Sequence, residues 1–162
     1  MLQALPILIS SISLMVSLSV AIYAWKFNEL SMRRASREWH AKTLLDIDGV
    51  LIDSPELWSI YDDHELAKNK DTSPVAVAKR EAYIYQHFNF FEVVRDYYMN
   101  IIKRDRLDEE YWHSWDCYIR QFFRSSSEAR TVFKAPWTQE IYSESFVEYV
   151  NRLINEMSVE KP

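Results

Sequence analysis

Residues 44–54 read LLDIDGVLIDS, with Asp46 and Asp48 one residue apart, then Gly49, Val50 and the pair Asp53-Ser54. Paired carboxylates beside a glycine suit phosphoester chemistry, so the first question is whether this chain is a phosphatase. The other titratable residues are scattered. Asp62, Asp63, His64 and Glu65 offer donors for a hard cation. Four consecutive residues cannot all face one ion without a specially folded loop, and no glycine is there to fold it. Glu81, His87 and His113 lack a paired ligand spacing, and Cys117, on an aromatic-rich stretch, reads as a buried, inert thiol. No catalytic residue, metal or cofactor is therefore expected. The alternative is a small effector or stress-response enzyme in which Asp46, Asp48, Glu81 and His87 converge in a cleft between helices.

The stretch resembles the first motif of haloacid dehalogenase-type phosphotransferases, in which the position matching Asp46 is the nucleophile and that matching Asp48 the acid/base. That family sets the pair at the carboxyl end of a buried parallel strand, and later strands bring a hydroxyl residue, a lysine and a magnesium-binding acidic pair. Parallel sheets need repeated strand and helix alternation, which is absent here. A single Gly in 162 residues is also few for an α/β enzyme. As a helix the same letters make sense: Leu44, Ile47 and Leu51 form a stripe with Leu45 and Ile52 beside it, leaving Asp46, Gly49 and Asp53 toward water. Gly49 costs that helix about 1 kcal/mol relative to Ala.

The scarcity of Gly, with only five Pro, predicts an all-α chain. Ala4–Trp25 is an uncharged run of 22 residues, matching the roughly 20 that cross a hydrocarbon layer. It is read as a transmembrane helix; Ser19-Val20-Ala21 could serve a signal peptidase, but the positively charged start of a cleaved leader is missing. Ser10, Ser13, Ser17, Ala21 and Ala24 recur at steps of three and four, a face suited to close helix packing. Tyr23, Trp25, Lys26, Arg33, Arg34 and Arg37 mark the interface. Residues 26–42 hold five basic and two acidic side chains against 14 and 22 in residues 43–162. The positive-inside rule then puts the N-terminus outside and the C-terminal domain in the cytoplasm. Lipid headgroups account for the basic collar, and an acidic domain with no basic stripe argues against a nucleic-acid partner.

Beyond a basic juxtamembrane helix over 26–43, the domain at 44–157 reads as four or five helices, followed by a disordered tail at 158–162. The first soluble helix runs to Ile52. Ser54 caps a short helix from Pro55 to Tyr61, and 62–73 is an exposed loop. Ser73 caps a central helix from Pro74 to Arg104, with Val77, Ile84, Phe88, Phe91, Tyr98 and Ile102 on its apolar stripe. Asp108 caps the next, whose broad face of Trp112, Trp115, Ile119, Phe122 and Phe123 is an aromatic core or docking face. Trp115 is expected to be buried against the central helix. Ser125 and Glu128 suggest a capping box, Pro136 a stop, and Thr138–Met157 a final helix with Ile141 or Tyr142, Phe146, Tyr149, Val150 and Leu153 inward.

Val50-Leu51-Ile52-Asp53-Ser54-Pro55-Glu56-Leu57 leading to Tyr61, then Trp112, Trp115, Tyr118-Ile119-Arg120, Phe123, Arg130 and Trp137, resemble small single-span bacterial membrane proteins with a cytoplasmic helical domain of unknown function. The resemblance implies a helical fold and brings no catalytic residues. The resulting expectation is a membrane-anchored interaction module of the bacterial inner membrane. It would touch lipid and bind a protein partner, either itself or another membrane subunit, as an accessory or regulatory component.

Overall fold

The computed structural model describes the backbone of residues 4–159 and the side chains of 9–158. Every regular element among the described residues is helical. Two compact units divide at Lys42 and Thr43.

The first helix, α1, runs Ala4–Asp53 without interruption, 50 residues and about 75 Å at 1.5 Å per residue. No proline follows its first turn, so nothing stops it before Pro55, whose ring forces Ser54 out of helical geometry (φ −134°, ψ 73°). Residues 9–28 of α1 are exposed, and the helix is long and apolar enough to cross a membrane.

In the second unit Ile47 and Leu51 of α1 join the core, whereas Leu45 and Ile52 are 69% and 80% exposed. The expected helix after Pro55 is a 3₁₀ helix, Pro55–Ile60, and Ser54 makes no side-chain cap bond. The expected loop also contains a 3₁₀ helix, Glu65–Asn69. It is tied down from outside: Lys70 pairs with Glu128 at 3.2 Å, and the buried Arg80 bonds Glu128 at 2.9 Å and the Asp71 carbonyl at 2.7 Å.

The central helix, α2, spans Pro74–Met99, and Ser73 Oγ accepts from Ala76 N as expected. It ends five residues early because the chain switches caps. Arg104 Nε donates to the Tyr98 carbonyl (2.9 Å), and Asp105 turns extended to cap α3, Arg106–Ser125. The cap is thus Asp105, not Asp108: Asp105 accepts from Asp108 N (2.8 Å) while Asp108 accepts from Asp105 N (3.2 Å), a reciprocal box. Ile102, expected inside, lies past the helix end, fully exposed.

Helix α4, Ser127–Lys134, is capped by Ser126, whose Oγ accepts from Ala129 N; the expected Ser125–Glu128 box does not form because Glu128 is engaged by Arg80 and Lys70. The predicted final helix is two, α5 (Pro136–Ile141) and α6 (Glu144–Val159). The break at Tyr142 has a cause. An extended backbone there buries its ring against Phe133 and Phe146, its hydroxyl donates to Asn89 Oδ1, and Ser143 N donates to Glu92. Ile141 is left outside. Ser158 and Val159, expected in the tail, continue α6, and residues 160–162 lie outside the described residues.

Aromatic rings make the core. Phe88 stacks on Phe123 (5.4 Å, 13°) and meets Phe122, Phe133 and Tyr142 edge-on. Trp115, expected buried, is half-buried, packed edge-on against Phe90 at 5.4 Å. Phe88→Ala should therefore cost about 3 to 5 kcal/mol by opening a cavity, whereas Trp115→Ala should cost about 1 to 2 kcal/mol. Denaturant unfolding of the detergent-solubilised full chain checks the order; equal losses would contradict a core centred on Phe88.

Candidate functional site

Residues 44–53 are helical, which settles where the aspartate pair points. Positions i and i+2 of a helix lie about 200° apart, so Asp46 and Asp48 cannot meet at one phosphoryl group. Asp46 is exposed and Asp48 is half-buried. No atom lies within 4 Å of where a Gly49 side chain would begin, so this glycine makes no room for a ligand or a neighbouring backbone.

The charge of Asp48 acts on three tyrosines, Tyr61 just after the first 3₁₀ helix, Tyr83 of α2 and Tyr118 of α3. Burial pushes its carboxyl above the ordinary value. Burial, and secondarily the charge of Asp48, pushes the Tyr118 hydroxyl up. Burial also raises the Tyr61 hydroxyl. Tyr83 is raised most, by burial and then by Tyr61, Tyr118 and Asp48. All three phenols thus stay protonated at neutral pH and can donate to an anionic oxygen.

His87 sits beside this group. It is fully buried, stacked on Phe122 (4.4 Å, 14°) with Tyr83 at 4.6 Å and Phe91 at 5.6 Å edge-on. Nδ1 lies 3.0 Å from the Tyr83 carbonyl, so it carries the proton, and Nε2 is left without a hydrogen-bond partner among the described residues. Burial lowers its pKa to about 4, keeping the ring neutral. Of the four residues considered for an enzyme site, Asp48 and His87 share Tyr83 as a neighbour. Asp46 turns outward, and Glu81 lies about 240° around α2 from His87.

The remaining candidates are absorbed structurally. Asp62 accepts from Ser127 N (2.9 Å) and Ser127 Oγ (2.6 Å), and His64 stacks on Trp58 while its Nδ1 accepts from Leu66 N. Cys117, expected buried, is exposed, 3.7 Å from His113 one turn earlier. An i, i+4 pair can meet across one helical turn, a relation its sequence neighbours do not advertise. Among the described residues no three of His, Cys, Asp and Glu gather as metal ligands. Ile119, Phe122 and Phe123 lie in the core, and the half-buried Trp112 packs on Tyr98 and Tyr149. Tyr149 in turn donates to Asp116, which Arg120 holds at 2.7 Å while also reaching Glu156. In the first unit Tyr23 and Trp25 are exposed, Arg33 pairs with Glu29 at 2.6 Å, and Ser10, Ser13, Ser17, Ala21 and Ala24 share an exposed arc of about 80°.

Sequence reasoning missed a cleft of about 390 Å³ at the start of α2, lined by Glu56, Ser59, Lys70, Asp71, Lys79 and Arg80. Its cations already have carboxylates: Lys79 bonds Glu56 at 3.1 Å, and Lys70 and Arg80 share Glu128. It also missed Tyr61, Tyr83 and Tyr118, which no local spacing relates.

No family model, curated protein or solved structure matches this chain. The functional reading rests on its own residues.

Two titrations test the Asp48–His87 region. Because the His87 pKa is about 4 folded and near 6.5 unfolded, unfolding takes up a proton between those values. Its contribution is whole above pH 6.5 and falls by about 3 kcal/mol down to pH 4. His40, also lowered to about 4 by burial, acts alike in any His87 variant and cancels. Denaturant midpoints between pH 7 and pH 4 should therefore fall less steeply for His87→Phe than for the wild type; identical slopes would mean that His87 does not titrate as buried.

The Asp48 carboxylate is disfavoured by burial, and its raised pKa makes the ionised form a net cost to folding at neutral pH. Asp48→Asn should raise the melting temperature at pH 7. Asp46→Asn, fully at the surface, should change stability by less than about 0.5 kcal/mol.

Proposed function

We propose that the chain is a membrane-anchored helical interaction module, an accessory or regulatory subunit of a membrane or membrane-associated complex. In this reading it works in the manner of the small single-span bacterial proteins that its sequence resembles. The carrying observation is that one unbroken helix holds both the 22-residue apolar segment and Ile47 and Leu51 of the domain core. The uncharged stretch supports an anchor, and Ile47 and Leu51 give the later part of the same helix a place in the domain core, as suits a module tethered to a membrane. The basic collar of Lys26, Arg33, Arg34 and Arg37 supports reading the domain as cytoplasmic, at the inner membrane of a bacterium. Lipid and a protein partner are its ligands.

Expressed at native level, the chain should resist alkaline extraction from membranes and co-purify from mild detergent with a stoichiometric protein. Release by alkali would remove the anchor, and repeated recovery as a lone monomer would remove the partner.

A second reading is favoured by Asp48, a carboxylate kept at a cost beside three protonated tyrosines, since perturbed acids gather at functional sites. On this reading the domain is a tethered effector enzyme with an acidic site. Phosphoester and nucleotide turnover by the full chain, lost in Asp48→Asn and kept in Asp46→Asn, would establish it; no turnover by the wild type would remove it.

A further inference from the structure

The cleft at the start of α2, about 390 Å³, is of a size that holds a small molecule. Its walls come from the 3₁₀ helix Pro55–Ile60, from residues 66–73 and from the first turns of α2, and Arg80, only 5% exposed, lies where they meet. The ion pairs around Arg80 do not use up the donors of the cleft. Arg80 gives Nε to Glu128 and Nη1 to the Asp71 carbonyl, and among the described residues Nη2 has no acceptor. Lys70 and Lys79 each make one bond to a carboxylate, whereas an ammonium group carries three N–H donors. The acceptors are more fully engaged. Asp71 takes Ser73 N on one oxygen (2.8 Å) and Ser73 Oγ on the other (3.0 Å), and Glu128 takes Arg80 on one and Lys70 on the other. Glu56 alone has an oxygen without a bond, because Lys79 occupies only Oε1.

The cleft therefore offers a surplus of donors on three cations, and its complement is an anion. A phosphoryl group suits it better than a carboxylate, since three oxygens spread in space can meet two ammonium groups and a guanidinium that approach from different segments. Leu66 and Val75, 43% and 69% exposed, add an apolar wall. From this we infer that the cleft binds a phosphate monoester, with its phosphoryl oxygens on Arg80 Nη2, Lys70 and Lys79 and its organic part against Leu66 and Val75. The Lys79–Glu56 pair, both side chains more than half exposed, is weak enough for such a ligand to displace. Lys70 and Arg80 keep Glu128 while they bind, so the floor of the site stays fixed. The site is independent of the anchor and of any protein partner.

The test is calorimetric titration of the full chain in an uncharged detergent with butyl phosphate, inorganic phosphate and butyrate. Butyl phosphate should bind, inorganic phosphate several-fold more weakly because it leaves the apolar wall uncovered, and butyrate most weakly. Lys70→Gln and Lys79→Gln should each weaken butyl phosphate about tenfold, the loss of one charge-assisted bond. Glu56→Gln should instead tighten it, since the carboxylate that competes for Lys79 is gone. Lys103→Gln, beyond the opposite end of α2, should change nothing. Arg80→Lys should abolish binding, and where that variant does not fold the Lys70, Lys79 and Glu56 variants carry the test. No binding of butyl phosphate, unchanged affinity in Lys70→Gln and Lys79→Gln, or an equal loss in Lys103→Gln overturns the site. Butyrate bound as tightly as butyl phosphate overturns the assignment of a phosphoryl group.

Discussion

Phe88 on α2 is the contact on which the domain depends. Its ring stacks on Phe123 of α3 and meets Phe133 of α4 and Tyr142 before α6 edge-on, so three other chain segments converge on one side chain. An aromatic ring offers a large apolar area with only two side-chain torsions to fix, and its edge-to-face contacts add about 0.5 to 1.5 kcal/mol per pair beyond burial. A domain with one glycine cannot use tight backbone turns to bring its elements together. Large rings that reach across wide helix spacings do that instead. The same demand explains why helices α5 and α6 are separate: Tyr142 must leave helical geometry to enter the cluster.

Polar contacts then fix what the rings leave free. Arg80, 5% exposed, would be costly alone in the core, and Glu128 with the Asp71 carbonyl removes that cost while binding residues 65–73 to α2 and α4. On the other side Tyr149, Asp116, Arg120 and Glu156 join α3 to α6, with the Arg95 guanidinium 5.2 Å above the Tyr149 ring. These pairs add little stability where they are exposed, since solvent screens them. Their effect is to choose one arrangement of helices that apolar packing alone would leave loosely specified.

Which features were legible in the letters follows from the range over which each is set. The all-helical class, the long α1, the Ser73 cap and the inward positions Ile84, Phe88, Phe91 and Phe146 come from local periodicity and capping chemistry, which a single stretch contains. The misplaced features depend on competing caps or on distant partners. Ile102 reads as the next member of a stripe until Arg104 closes α2 and Asp105 opens α3. Glu128 looks like a capping residue until Arg80, far away in sequence, claims it. The Asp48, Tyr61, Tyr83 and Tyr118 group has no local signature at all, because it is assembled from α1, the residue after a 3₁₀ helix, α2 and α3.

The aspartate motif shows why a spacing has no chemical meaning apart from its backbone. At the end of a strand, residues i and i+2 point to the same face, so both carboxylates can reach one ligand. In the interior of α1 the same two positions lie about 200° apart, and each side chain keeps the direction its position assigns. Asp46 is left in water. Asp48 is half-buried near Tyr61, Tyr83 and Tyr118, and burial disfavours its ionised form. Helix geometry thus removes the two-aspartate chemistry that the letters resemble, and in the same step creates a single perturbed carboxylate that the letters do not advertise.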